Sequence, residues 1–312
     1  MTALLEIIEK LQETHKTITN LEAYMAKHPK DETLIITTES LYSRQRDLEK
    51  AFAEISDKEH LDVCSYRLIA EDRDRFSISA LSSTLHEFQS MVTDVYEAYR
   101  TGPKIKAVRS PKIVQESSFD FAYAYPGSLG FVLTVPRERL LGEIFLTTIE
   151  KAIDSIFKVV KAKNNEEIHR LAEQIGIASI RSIHKWANSH SQYGVSADIQ
   201  WKRKQRIRNK LFVETTELEH LGKMIETTSK EKHKEMDIPH AKLVGLDIDL
   251  KTFHIKRPDA KDIKGKISDS FNFGKSYTIT CYYSVKLIRK TKIHYAYEKE
   301  DEVWELLSLE KK

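Results

Sequence analysis

The sequence predicts an α+β protein in three parts. These are an antiparallel helical hairpin over residues 1–60, a mixed α/β core over 61–235, and a small β-barrel-like module of OB or SH3-like size over 236–312. Three observations carry that reading. Apolar residues recur every seven positions in the first 60 residues. Helical and strand periods alternate through the middle, and helical spacing gives way to short β runs near the C-terminal end.

In the hairpin, Leu4, Leu11, Ile18 and Met25 form one apolar stripe and Leu34, Leu41, Leu48 and Ile55 another. Pro29 stops the first arm, since proline cannot continue the helical ladder. Asp31 and Glu32 suit the positive N-terminal end of the second. The seven-residue period is that of a coiled-coil seam, interrupted by Thr14, Thr38 and Gln45. Packing on the chain's own core and self-association into a homodimer are both open. With 8 basic and 12 acidic residues, this segment is unsuited to nucleic acid.

The core begins with a strand at Asp62–Ala70. Ser77 or Ser79 caps the next helix, where Ile78, Leu81, Leu85, Phe88, Val92, Val95 and Tyr99 form one buried stripe. Thr101-Gly102-Pro103 ends it. Runs at 118–125 and 130–135 flank the turn Pro126-Gly127-Ser128-Leu129 and read as a β-hairpin. Arg137–Lys161 reads as one long helix, apolar on several faces from Leu140 and Leu141 through Phe145 to Val160, and hence central. Asn164 or Asn165 opens a shorter helix that Gly176 closes, and another helix covers 178–189. A strand at Val195–Trp201 leads into a basic block. Residues 209–234 read as helix with a polar, linker-like end. Beyond them, β runs at 241–248, 252–256, 263–267, 277–288, 292–297 and 303–309 suggest a closed barrel.

Only 10 of 312 residues are Gly, against an average of about 7%. Few positions therefore allow backbone to approach a ligand closely, which weighs against dinucleotide and phosphate-loop enzymes. Cys64 and Cys281 read as buried thiols in a reducing cytoplasm. The first residues lack a basic segment followed by an apolar core, and no run approaches 18 apolar residues. Neither a signal peptide nor a membrane span is expected. No zinc-ligand spacing, serine elbow or phosphate-loop lysine occurs, so neither enzyme, cofactor nor metal is expected. Arg289 and His294 fit an Arg-x4-His spacing that resembles one family of helical ribonucleases. Here the segment reads as strand, turn and strand, so the context differs.

Residues 202–210 are the densest charge in the chain, with six cations and no acid. The net charge is only +3, so the remainder carries −3. Phosphate backbones attract such a stripe, and an adjacent indole can stack on a base. Trp201, Lys202, Arg203, Lys204, Arg206, Arg208 and Lys210 are therefore candidate nucleic-acid contacts. Lys286, Arg289, Lys290 and Lys292, set among tyrosines, form an auxiliary surface. The expected function is non-enzymatic, sequence-independent binding of DNA or RNA by a cytoplasmic homodimer. The alternative is a protein–protein adaptor or scaffold, as an accessory component of a bacterial defence or mobile-element system.

Overall fold

The computed structural model describes residues 2–28, 31–70, 76–125, 129–137, 147–203, 206–257 and 261–311. The chain is an α+β protein that divides into two units, Met1–Ile225 and Glu226–Lys312.

The first unit opens with helices α1 (Thr2–Met25) and α2 (Glu32–Lys58), which pack against each other. Asp31 caps α2 by accepting from the amides of Thr33 and Leu34, satisfying donors a helix start otherwise leaves open. Strand β1 (Leu61–Ile69) follows, then α3 (Ile78–Thr101), capped by Ser77 and closed at Gly102. A short helix α4 (Pro111–Ser117) precedes the hairpin β2 (Asp120–Tyr125) and β3 (Gly130–Pro136). Helices α5 (Thr148–Val160) and α6 (Asn165–Tyr193) lead to β4 (Ser196–Arg203) and β5 (Arg206–Val213). Helix α7 (Thr215–Thr227) ends the run.

The sheet order is β2-β3-β1-β4-β5 with every neighbour antiparallel. From β1 through β4 this is the connectivity of a split β-α-β, or ferredoxin-like, unit; β5 extends one edge. Because side chains alternate across a strand, Cys64, Tyr66 and Leu68 of β1 face α3 and α6. There Tyr66 stacks on Phe88 and accepts a 3.0 Å hydrogen bond from the Trp186 indole. Val63, on the other face, meets α1 and α2 in a cluster with Ile8, Leu11, Phe52, Tyr123 and Val132. The helical hairpin thus covers the face that the other helices leave open.

The second unit is a closed five-stranded barrel ordered β10-β8-β7-β6-β9. Its strands are β6 (Ser229–Asp247), β7 (Thr252–Lys256), β8 (Ile263–Ile267), β9 (Tyr282–His294) and β10 (Glu300–Lys311). Counted from β6, the circuit is 1-2-3-5-4, with only the third and fifth strands parallel. That is the Greek-key arrangement of an OB-type barrel. Leu243, Phe253, Ile255, Val285, Leu287 and Leu306 fill it.

Three sequence expectations are corrected, the first of them the single long helix over Arg137–Lys161. Arg137 is not helical: its guanidinium binds Asp62 and Asp57 at 2.8 and 2.7 Å and the Leu61 carbonyl at 3.0 Å. Helix α5 begins only after Thr147, whose hydroxyl and Glu150 form a capping box; Leu140, Leu141, Ile144 and Phe145 lie outside the described residues. The expected helix over 209–234 is instead the end of β5, α7 and the start of β6. Residues 282–294 make one strand, where two were expected with a turn between them.

Candidate nucleic-acid interface

Strand alternation divides the basic block. Trp201 lies opposite Cys64 on the helix-covered face and is fully buried, with its ring edge-on to Phe119. It cannot stack on a base. Arg203 occupies the same face two residues on. It donates a 2.6 Å hydrogen bond to Glu150 Oε2, and only 8% and 2% of the two side chains are exposed. These two expected contacts are therefore corrected to core residues. Asp62 shares this buried end of the sheet, and burial pushes its carboxyl above the usual carboxylate range despite the Arg137 hydrogen bond. Lys202 points to the opposite face, beneath the helical hairpin, and Lys204 lies outside the described residues.

Arg206, Arg208 and Lys210 remain exposed on β5, the edge strand of the sheet. The β4–β5 register slips after Trp201, pairing it with Asn209 and Lys202 with Ile207. Arg208 is the extra residue of that bulge, a feature that blunts an open edge. None of these three cations has an ion-pair partner among the described residues.

The auxiliary cluster on β9 is largely neutralised by its neighbours. Arg289 pairs with Glu302 and sits 5.8 Å over the Trp304 ring, and Lys290 reaches Glu305 at 2.5 Å. Lys286 and Lys292 are exposed, yet their cross-strand partners include Asp237, Glu231 and Asp301. Arg289 and Lys290 are thus corrected from phosphate contacts to strand-pairing groups.

The barrel instead carries a cationic face that the sequence reading missed. Lys242 on β6 lies directly opposite Lys256 on β7, and Tyr282 on β9 lies opposite Lys242 from the other side. The next rows pair His254 with Lys264 and Thr252 with Lys266. Each of these lysines alternates with buried residues such as Leu243, Ile255, Ile263 and Ile267, so all four point outward. Lys242, Lys256, Lys264 and Lys266 have no ion-pair partner among the described residues, although Glu305 of β10 lies across from Lys266 and Asp262 meets His254 at 2.9 Å. Tyr282 is 47% exposed and its ring stacks on His240 at 4.4 Å. A usable signal was present: Lys264 and Lys266 alternate with apolar Ile263 and Ile267, the mark of one outward-facing strand row.

Among the described residues no group of three His, Cys, Asp or Glu side chains is placed to hold a metal ion, and no helix is long and apolar enough to cross a membrane. No family model, curated protein or solved structure matches the chain.

Proposed function

We propose that this protein is a non-enzymatic nucleic-acid-binding protein that grips phosphate backbone through its barrel. The outer face of β7–β8, with Lys242 on the adjoining strand, makes the main contact. Arg206, Arg208 and Lys210 supply a second basic edge on the other unit. The observation that carries this reading is the Lys242–Lys256 pair. Like charges placed directly across an antiparallel ladder destabilise it, so a face that keeps them is suited to an anionic ligand. Oligonucleotides bind OB-type barrels on the second and third strands, here β7 and β8. Tyr282 beside Lys242 offers a stacking surface, and stacking with backbone charge recognises single strands with little sequence preference.

Fluorescence anisotropy with a labelled single strand at low salt tests the proposal. The intact chain is expected to bind. Each phosphate contact removed, as in Lys264→Ala or Lys266→Ala, lowers the slope of log K against log salt by about 0.7. If neither single strand nor duplex of DNA or RNA forms a complex at low salt, the reading is lost.

A second reading, self-association or adaptor docking through the helical hairpin, is favoured by one observation. Tyr24, Ile35, Ile36 and Tyr42 are all exposed on α1 and α2, with Ile36 at 68%. Light scattering decides it: Ile36→Glu is expected to reduce the mass of a homodimer, and a monomer in both forms removes that case.

A further inference from the structure

Beyond its bulge, β5 keeps a regular stretch, Asn209–Val213, at the edge of the first unit's sheet. Every second residue of an edge strand directs its N–H and C=O away from the neighbouring strand. Among the described residues, none of these five makes a backbone hydrogen bond outside the β4 ladder. Such a row is a template on which another chain can pair. A groove follows it. Two adjoining concavities of about 350 and 660 Å³ meet Asn209 and Lys210 and then Leu211, Phe212 and Val213, and Lys161 borders both. Five residues of strand span about 17 Å.

The two faces of the edge differ in chemistry. Strand parity places Ile207, Lys210 and Phe212 on the face away from α5, where Ile207 and Phe212 are 55% and 50% exposed. On the α5 side, Lys161, Lys163 and Arg170 wall the groove, all exposed and without an ion-pair partner among the described residues. The acids of the walls are already engaged. Asp154 pairs with Lys158 at 2.6 Å, Glu167 accepts from the Lys163 amide at 3.0 Å, and Glu217 accepts from the Glu214 amide at 2.9 Å. Five cations against three acids leave the groove positive.

We propose that an extended acidic segment of a partner protein adds to β5 as a sixth strand. Its acids face Lys161, Lys163 and Arg170, and its alternate, apolar side chains lie over Ile207 and Phe212. Strand addition of this kind draws affinity from main-chain hydrogen bonds and selectivity from alternate side chains. A nucleic acid could meet the cations, but its backbone offers no row of N–H and C=O groups to pair with the edge. A second copy joined edge to edge would bring the two sets of Arg206, Arg208 and Lys210 together, and like charges facing one another destabilise a ladder. This edge belongs to the first unit, and its occupant does not depend on what the barrel binds.

The test is fluorescence anisotropy on the full chain at low salt with a labelled decapeptide that alternates Glu and Val. It is expected to bind, and a peptide of the same composition with its glutamates and valines in separate blocks is expected to bind about tenfold or more weakly. N-methylating every Glu blocks one edge of the peptide strand, and N-methylating every Val blocks the other. One of these two forms is expected to lose binding and the other to keep it, a difference that charge attraction alone would not produce. Lys161→Glu with Lys163→Glu is expected to weaken the peptide about tenfold or more and to leave affinity for a single strand of DNA unchanged. Should that pair fail to fold, Lys163→Gln alone is expected to weaken the peptide about twofold to fivefold. The proposal is overturned if the alternating peptide does not bind at millimolar concentration, if the block peptide or both methylated forms match it, or if the charge variants leave its affinity unchanged. It is overturned too if those variants weaken the single strand and not the peptide, which would assign the groove to nucleic acid. A chain that binds the peptide but no nucleic acid keeps this inference and loses the barrel reading, and the reverse result does the opposite.

Discussion

Arg203 and Glu150 form a buried ion pair, Nη1 to Oε2 at 2.6 Å, that ties the end of β4 to the first turn of α5. The same oxygen accepts from the Thr147 amide at 2.9 Å, so one carboxylate closes the helix cap and holds the strand. Removing one partner of such a pair leaves the other charged and buried. Arg203→Ala is therefore expected to cost about 3–5 kcal/mol. Arg206→Ala, three residues away but exposed on β5, is expected to change stability by about 0.5 kcal/mol or less. Urea denaturation of the two variants compares them directly. Equal losses would mean that Arg203 does not hold β4 to α5 as described.

Arg203 and Arg206 look alike in the sequence, and that explains where reading the chain stops. Local signals were legible. Ser77 and Asn164 cap the helices expected to start beside them, Gly176 breaks the run as its position implied, and β7 and β8 fall on the expected residues. The failures are nonlocal. Lys230 to Glu235 contains no apolar residue, so its pattern favours a solvated helix. Only pairing with Ile288–Ile293 of β9 makes it strand. Density of charge located a basic segment, but strand parity decides which members face water. That parity depends on the partner strand and on a bulge the composition does not announce.

Lys256→Glu is expected to move stability and binding in opposite directions. It places a carboxylate across from Lys242, turning a repulsive cross-strand pair into an attractive one. A gain of about 0.2–1 kcal/mol follows. The same change reverses a charge on the proposed phosphate surface, so affinity for a single strand should fall and its salt dependence flatten. Thermal melting and anisotropy on one preparation measure both. A loss of stability with unchanged affinity would place the cationic face outside the contact zone.

His190 makes the first unit sensitive to acid. It lies fully buried; its Nδ1–H donates to the Val195 carbonyl at 2.7 Å and its Nε2 accepts from the Tyr66 hydroxyl at 2.5 Å. Burial lowers its pKa to about 4. The unfolded chain, with histidine near 6.5, therefore binds a proton that the native state refuses between these two values. No penalty exists above about pH 6.5. The penalty grows as pH falls and reaches about 3 kcal/mol near pH 4. His190→Gln should flatten that part of the stability–pH curve, measured by denaturation at several pH values. An unchanged slope would assign the acid sensitivity to other groups.

Gly176 within α6 and Gly194 at its C-cap should respond to substitution by different amounts, although both have positive φ. Gly176, at φ +82 and ψ 154, breaks the helix where the chain meets residue 104. A Cβ there would fall 2.4 Å from the Lys104 amide nitrogen and 2.6 Å from its carbonyl oxygen, the oxygen that accepts from Ala178. Backbone cannot yield as a side-chain tip can, and that region of φ and ψ is itself nearly confined to glycine. Gly176→Ala is expected to cost about 3 kcal/mol or more. Gly194, at φ +62 and ψ 45, ends the same helix in left-handed geometry, with nothing within 4 Å of a Cβ. Asparagine adopts that conformation, so Gly194→Asn should cost less than about 1 kcal/mol. Chemical denaturation of the pair separates steric closeness from positive φ alone; equal costs would show that the approach to Lys104 contributes nothing.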